Sequence, residues 1–185
     1  MAIDIFNPLV DLQGNKMKSA SWYRNAVSLI TDKSSPSELF ASGKLLGRPS
    51  AGRMSMFIYD PKWKKKLPYY DTFPLVLPLE NYPDGFLGIN LHYLPMTLRL
   101  QLLDRLVDYS NNTKFDESTR LAVDYSKLKK INMIKPTLKR YLAGRVKTQF
   151  RRIDADEFTV AALLPVQRFK KASASEVYKD SRAMI

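Results

Sequence analysis

The clearest chemical feature of the sequence is a group of basic side chains between residues 120 and 152. This stretch holds eleven basic residues and one acidic residue, Asp124. The basic residues are Arg120, Lys127, Lys129, Lys130, Lys135, Lys139, Arg140, Arg145, Lys147, Arg151 and Arg152. A face with one sign of charge binds a phosphate backbone because binding releases condensed counterions, whereas an ordinary solvated face mixes both signs. We therefore predict that the ten residues from Lys127 onward contact nucleic acid.

A second basic group surrounds a tryptophan in the sequence "KWKKK". Its lysines are Lys62, Lys64, Lys65 and Lys66. Aromatic rings among lysines stack on bases of single strands, so Lys64, Lys65 and Lys66 are predicted to bind nucleic acid as well. Trp63 is predicted to contact a partner at the surface. Tyr59 and Tyr93 alternate with apolar strand residues and are predicted to lie in the core.

The residue types that usually perform catalysis are not arranged for it. The chain has no cysteine and a single histidine, His92, and spacing assigns no nucleophile or carboxylate to that histidine. We therefore interpret His92 as a packed or hydrogen-bonded structural residue. The clustered acidic residues are interpreted as solvated turn residues rather than ligands of a hard cation; they are Asp116, Glu117, Asp154, Asp156 and Glu157. The sequence predicts no enzyme, no metal site and no catalytic residue; a metal-dependent nuclease is the enzymatic alternative, and it would need convergent carboxylates.

Composition places the chain among basic globular proteins. It has 185 residues, an apolar fraction of 45% and a formal net charge of +12. One domain of ordinary size is expected from this length, and a charge this positive points to an acidic partner. No apolar run approaches the roughly 18 residues of a transmembrane helix, so no membrane partner is expected.

The first half of the chain changes from helical to strand-like patterns. Residues 1–50 are predicted to form an N-terminal helical arm, with a helix beginning at "SSPSELF". From Arg53 onward, three short strand-like runs are separated by turns such as "YPDG", and Gly88 within the third run predicts a bulge or bend. Strands this short, bent by glycine and proline, predict a small SH3-like antiparallel β-barrel.

The second half supplies two helical patterns before strand character returns in "FRRIDADEFTVAALLP". Leu98, Leu102 and Leu106 predict a buried helical stripe after Pro95, and a second apolar stripe runs from residue 128 to 146. Pro136 is expected to divide that second stripe, in the first turn of a new helix. The predicted fold class is α+β: a barrel domain over residues 51–170 with a helical insertion at about 96–148, followed by a C-terminal tail, 171–185.

The two chain ends carry a few apolar residues among polar spacers. These residues are Ile5, Phe6, Leu9, Val177 and Tyr178. Neither end buries enough apolar surface alone to offset the entropy lost on ordering. We therefore expect these five residues to pack on another polypeptide in an assembly of several copies.

Several runs together resemble a family of virion-associated proteins of T-even-like tailed phages, whose members are described as DNA end protectors. The runs are "GRMSMFIYD", "LPYYDTFPLVLPL", "GFLGINLHYLP", "RLQLLDRL", "KPTLKRYL", "FRRI", "AALLPVQRF" and "VYKDSR". The resemblance covers about residues 50 to 182.

The resemblance implies a non-enzymatic protein carried in the virion, assembled in the host cytoplasm and needing no cofactor. It implies binding of packaged double-stranded DNA ends or of neighbouring virion proteins such as the portal. The alternative is a structural connector of the phage neck, tail or baseplate that binds only protein. Binding to phosphates weakens steeply with salt, and binding through a protein interface responds less, so the two functions are separable by experiment.

Overall fold

The computed structural model describes residues 35–108, 128, 130–154 and 157–185, which form an α+β fold. The strands are β1 Leu45–Leu46, β2 Ser55–Met56, β3 Tyr70–Asp71, β4 Leu75–Tyr82, β5 Gly85–Asn90, β6 Leu138–Leu142, β7 Phe150–Arg152 and β8 Phe169–Lys170. The α-helices are α1 Pro36–Ser42, α2 Met96–Asp108, α3 Ile134–Thr137, α4 Phe158–Leu163 and α5 Ala174–Met184. Two short 3-10 helices cover Leu91–Tyr93 and Ala143–Arg145.

Six of these strands form one antiparallel sheet in the order β1-β7-β2-β4-β5-β6, and β3 pairs with β8 separately. The outer strands β1 and β6 do not pair with each other, so the described part of the chain forms an open sheet and not a closed barrel. A single bridge between Tyr59 and Val146 joins the segments that follow β2 and β6. The α+β class is therefore confirmed, whereas the SH3-like barrel is not.

The long hairpin of β4 and β5 contains the irregularity that Gly88 predicts. The pairing shifts between Pro78 and Glu80 on β4, directly opposite Gly88 on β5. A Cβ atom on Gly88 would lie 2.4 Å from the Cγ1 atom of Val76, so only glycine fits this close approach. Pro78, which has no N–H to donate, lies beside the bulge, where the missing hydrogen bond is tolerated.

Alternation along the strands gives the sheet two buried faces. Leu75 and Leu77 point into a large apolar core formed with α1, α2 and α4, and Val76 points to the other side. That second face carries a compact aromatic cluster of Phe57, Tyr59, Phe86, Tyr141 and Phe150. Helix α2 contributes the leucine stripe that its spacing predicts, with Leu102 and Leu106 fully buried.

The second predicted helical stripe is wrong over most of its length. Among the described residues of this stripe, Leu128 and Ile134–Thr137 are α-helical, with Pro136 in the second of these, and Leu138–Leu142 forms strand β6. Pairing with β5 and burial of Tyr141 in the aromatic cluster outweigh the local helical spacing. The reverse error occurs in "FTVAAL", which is helix α4 instead of a strand, because a short apolar run buried on most sides has no diagnostic period.

Both described ends of the fold begin their helices with capping boxes. The hydroxyl of Ser35 accepts from the N–H of Glu38 at the start of α1, as "SSPSELF" predicts, and Ser173 does the same with Glu176 in α5. The residues after α1 belong to the sheet instead of a separate N-terminal arm, since β1 pairs with β7 at the sheet edge.

The C-terminal segment folds back onto its own chain instead of extending toward a partner. Val177 is 0% exposed in α5, and the Tyr178 hydroxyl accepts a 2.7 Å hydrogen bond from Nη2 of buried Arg99. The expectation that these two residues pack on another polypeptide is therefore corrected. The N-terminal residues Ile5, Phe6 and Leu9 lie outside the described residues.

Replacing Val177 with alanine is expected to lower the free energy of unfolding by about 1–3 kcal/mol, because it leaves a cavity under α5. Urea denaturation of the isolated protein measures this change. The matched change Lys179→Ala on the exposed side of α5 should shift stability by less than about 0.5 kcal/mol. Equal stabilities of Val177→Ala and wild type would show that α5 does not dock on its own chain in solution.

Candidate nucleic-acid interface

A cavity of about 490 Å³ lies between strand β6 and the loop of residues 61–70. Six aromatic side chains line it. We call it the aromatic groove and define it by Tyr59, Trp63, Tyr69, Tyr70, Tyr93 and Tyr141. Lys62, Lys139 and Arg140 also line it. Rings combined with cations are the two components of a surface that binds nucleotides, one for bases and one for phosphates.

Hydrogen bonds of the main chain hold the tryptophan loop in a defined shape. The N–H groups of Lys66 and Leu67 both donate to the carbonyl of Trp63, at 2.9 and 3.0 Å. From the other side of the loop, Nζ of Lys171 donates to the carbonyls of Lys65 and Leu67, at 3.1 and 2.7 Å. The loop therefore presents its side chains from an ordered frame.

More than half of the surface of Trp63 is exposed to solvent. Its side chain is 56% exposed, although an indole this large is usually buried for most of its area. The ammonium groups of Lys62 and Lys66 lie 5.1 and 5.2 Å from the ring centroid, which is the geometry of cation–π contacts. An exposed ring with two cations beside it presents both a stacking surface and positive charge to a ligand.

The fold brings the two basic groups of the sequence together. The Asp60 N–H donates to the Arg145 carbonyl at 3.0 Å, and the Lys147 N–H donates to the Ile58 carbonyl at 2.8 Å. The tryptophan loop and the chain that follows β6 are therefore neighbours. We call the resulting set of exposed or half-buried cations the basic rim and define it by Lys62, Lys64, Lys66, Arg140, Arg145 and Lys147.

Only part of the charge on the basic rim is neutralised. Lys64 pairs with Asp60 at 2.7 Å, and its hydrogen bond lowers the pKa of that carboxyl. Arg140 pairs with Asp84 and also lies over the Tyr82 ring, 4.3 Å from its centroid. The other four members form no ion pair with any described residue, so the rim keeps net positive charge.

Lys139 is the unusual cation of the site. Its ammonium lies 4.0 Å from the centroid of the Tyr93 ring and has no hydrogen bond or ion pair among the described residues. Burial lowers the pKa of Lys139 to about 8, because the low-dielectric groove disfavours the charged form. This position therefore holds a charge at an energetic cost when no anion is bound.

Behind the groove lies a sealed polar network around Asp71. Nδ1 of His92 lies 2.8 Å from Oδ2 of Asp71, and the amide of Asn90 reaches both that oxygen and the Tyr141 hydroxyl. Burial by itself would raise the pKa of Asp71, but the contact with His92 and the hydrogen bonds from main-chain N–H groups outweigh it and lower the pKa. Burial lowers the pKa of His92, which supports a neutral ring. The structural interpretation of His92 is confirmed.

Two arginines predicted to bind nucleic acid have structural roles instead. Arg151 is 1% exposed, and its two Nη atoms donate to Glu157 at 3.0 and 3.1 Å. Arg152 pairs with Asp154, which also accepts from Lys44 at 2.9 Å. The interpretation of Asp154 and Glu157 as solvated turn residues is therefore wrong, because both carboxylates are buried and pair with arginines.

The remaining predicted residues are divided between surfaces. Lys64 and Lys65 are exposed on the tryptophan loop, whereas Lys135 is exposed on α3 and Lys130 lines a different cavity beside α2. Lys139 and Arg140 lie on strand β6, and Lys147 follows that strand, so these residues do not share the face of a helix with Lys135. Lys127, Lys129, Asp116, Glu117 and Asp156 lie outside the described residues.

Sequence reasoning missed the groove itself, including the contributions of Tyr69, Tyr70 and Lys62. The available signal was the density of tyrosine between residues 59 and 93, around the lysine run. No group of three or more His, Asp or Glu side chains in the described ranges is arranged to hold a metal ion. The helices within those ranges also include none that is long and apolar enough to cross a membrane.

Together, these features define an α+β protein with a groove lined by aromatic and basic side chains. A comparison with family models matches residues 11–181 to the family described as phage T4 terminal DNA protecting protein. Since the match covers most of the sequence, the chain belongs to this family. No curated protein and no solved structure gives a significant match.

Replacing Lys139 with methionine is expected to stabilise the free protein at pH 7 by about 1–3 kcal/mol, because it removes a desolvated charge. The folded pKa of about 8 lies below the ordinary value of 10.5, so the unfolded chain binds more protons between these values. Wild-type stability should therefore rise through this window, and the advantage of Lys139→Met should disappear toward pH 10.5. Urea denaturation across this pH range measures both effects; a constant difference would contradict the assigned cause.

Proposed function

We propose that this protein is a non-enzymatic component of the phage virion that binds the ends of double-stranded DNA through the basic rim and the aromatic groove. The observation that supports the proposal most directly is the meeting of two basic segments, distant in sequence, around one groove. The family match adds the biological context, since its members are described as protecting terminal DNA.

The charge distribution is suited to a phosphate backbone. The chain carries a formal net charge of +12, and four cations of the basic rim have no acidic partner among the described residues. Each phosphate neutralised by such a cation releases condensed counterions, which supplies affinity without reading the base sequence. A protein that protects ends of any sequence needs this kind of contact.

Protection requires occupancy of the end and no chemical step. A protein that covers the terminus prevents nucleases from reaching the terminal phosphodiester bonds. The side chains that would otherwise suggest chemistry are already engaged: His92 and Asp71 are sealed behind the groove, and Asp154 and Glu157 neutralise arginines. These contacts support a binding role for the site.

Binding of linear DNA is expected to weaken steeply with salt, and neutralising three rim lysines should reduce that dependence. The test variant combines Lys62→Gln, Lys66→Gln and Lys147→Gln. The slope of log K against log salt should fall by about 0.9 for each phosphate that the variant no longer neutralises. Gel-shift titrations from low to moderate salt measure the slope.

The matched control removes three exposed charges elsewhere, by Arg105→Gln, Lys130→Gln and Lys135→Gln. It has the same net charge as the test variant and should keep most of the wild-type slope. An equal reduction of the slope in the two variants would mean that net charge, and not the basic rim, drives binding. Absence of any shift at low salt would remove the DNA function and favour a connector that binds only protein.

A further inference from the structure

We propose that the aromatic groove binds a single terminal nucleotide, unstacked from the duplex, with its base against Trp63 and its phosphate at Lys139. The proposal rests on the DNA-end function above and deepens it, since that function by itself requires only contacts with the backbone. It assigns a separate recognition element to the groove, in addition to the basic rim.

End recognition needs a contact that the basic rim does not supply. Phosphates are present along the whole length of DNA, so lysine contacts to the backbone do not distinguish an end from the interior. A terminal base differs because it stacks on one neighbour instead of two. Both a terminal and an internal base lose their pairing when extruded, but the internal base also loses a second stacking partner, so unstacking the terminal base costs less. A site for one unstacked nucleotide consequently favours ends.

Trp63 provides the stacking surface. Its ring is more than half exposed, and the hydrogen bonds from Lys66, Leu67 and Lys171 hold the surrounding loop in place. Every base has a π-face, so stacking on such a ring tolerates any sequence. Lys62 and Lys66, about 5 Å from the ring centroid, would lie close to the phosphates adjoining a stacked base.

Lys139 provides the anion-binding group in the same cavity. Its ammonium is partly removed from water, lies over the face of Tyr93, and has no anionic partner among the described residues. Removing a charge from water is costly unless a counter-charge is close. A phosphate entering the groove would supply that counter-charge and form a charge-assisted hydrogen bond.

The dimensions of the groove fit one nucleotide. Its volume of about 490 Å³ lies within the range of roughly 300–1,000 Å³ for sites that hold small ligands. Tyr69 and Tyr70 line it opposite β6 and leave an apolar wall for a base. A cavity of this size has room for a single unstacked nucleotide.

The test compares two DNA duplexes of equal length and sequence. One has an open blunt end and a hairpin loop at the other end, and the second has loops at both ends. Fluorescence anisotropy measures the affinity of the full-length protein for each. The wild type should prefer the duplex with the open end.

Trp63→Leu should reduce affinity for the open end by about 5- to 150-fold, the range expected when one base–aromatic stack is removed. Its affinity for the doubly looped duplex should fall by a smaller factor, because that duplex offers no terminal base to stack. Trp63→Phe retains a ring and should recover most of the affinity. Because Trp63 is exposed, these variants are expected to fold, and thermal denaturation checks this.

A fluorescent base reports the position of the nucleotide directly. 2-Aminopurine at the terminal position should change its emission when the wild type binds and should not change with Trp63→Leu. The same base placed several pairs inward should not respond to either protein. An unchanged terminal signal with the wild type would overturn the unstacking step and therefore the proposal.

The phosphate at Lys139 is either the terminal 5′-phosphate or the next internucleotide phosphate. Lys139→Met should weaken binding to the open end, and the matched change Lys130→Met should not. If removal of the 5′-phosphate also weakens wild-type binding but not that of Lys139→Met, the terminal phosphate is the ligand. If removal of the 5′-phosphate has no effect on wild-type binding, the internucleotide phosphate is the ligand. Equal binding by Lys139→Met and wild type to the open end would contradict the assignment.

The outcomes separate this proposal from the DNA-end function. If the wild type prefers the open end and Trp63→Leu keeps the same preference, the end function holds and the groove assignment is wrong. If the wild type binds both duplexes equally, or neither, the end function fails and the groove assignment fails with it.

Discussion

The buried carboxylate of Asp71 is the constraint on which the arrangement of the groove depends. It accepts hydrogen bonds from the main-chain N–H groups of Phe73 and Arg168, both at 3.0 Å, and contacts the side chains of His92 and Asn90. A carboxylate removed from water is tolerable only when such donors surround it. These contacts hold three segments around the Asp71 carboxylate: the turn before β4, the end of β5 and the chain that leads into β8.

This point also sets the positions of the groove walls. The amide of Asn90 also donates a hydrogen bond to the Tyr141 hydroxyl. This bond fixes the position of β6 and therefore the position of Lys139. On the opposite wall, the Thr72 N–H donates to the Arg168 carbonyl, and the Tyr59 N–H donates to the Thr72 carbonyl. Loss of the carboxylate would therefore disturb both walls at once, although Asp71 itself contributes little surface to a ligand.

The groove differs from the structure that supports it in the number of partners that its side chains have. In the support, Arg99 donates to main-chain carbonyls and to Tyr178, and Arg151 forms a bidentate pair with Glu157. In the groove, Trp63 stays exposed, and Lys139 has no ion-pair partner among the described residues. Groups that reduce stability in the free protein are typical of binding sites. A stacked base and a phosphate would satisfy both groups.

Local features alone determined helix α2, the capped start of α1, the bulge at Gly88 and the structural character of His92, because each depends on near neighbours or on the absence of alternatives. The sequence also established the positive charge that indicates an anionic partner. Tertiary structure decided which cations remain available to bind a ligand. Arg151 is paired with Glu157, whereas Lys139 lies across the groove from the tryptophan loop. Residues of one type have the same intrinsic chemistry. Their roles differ because long-range pairing fixes burial and counter-charge, which no local pattern encodes.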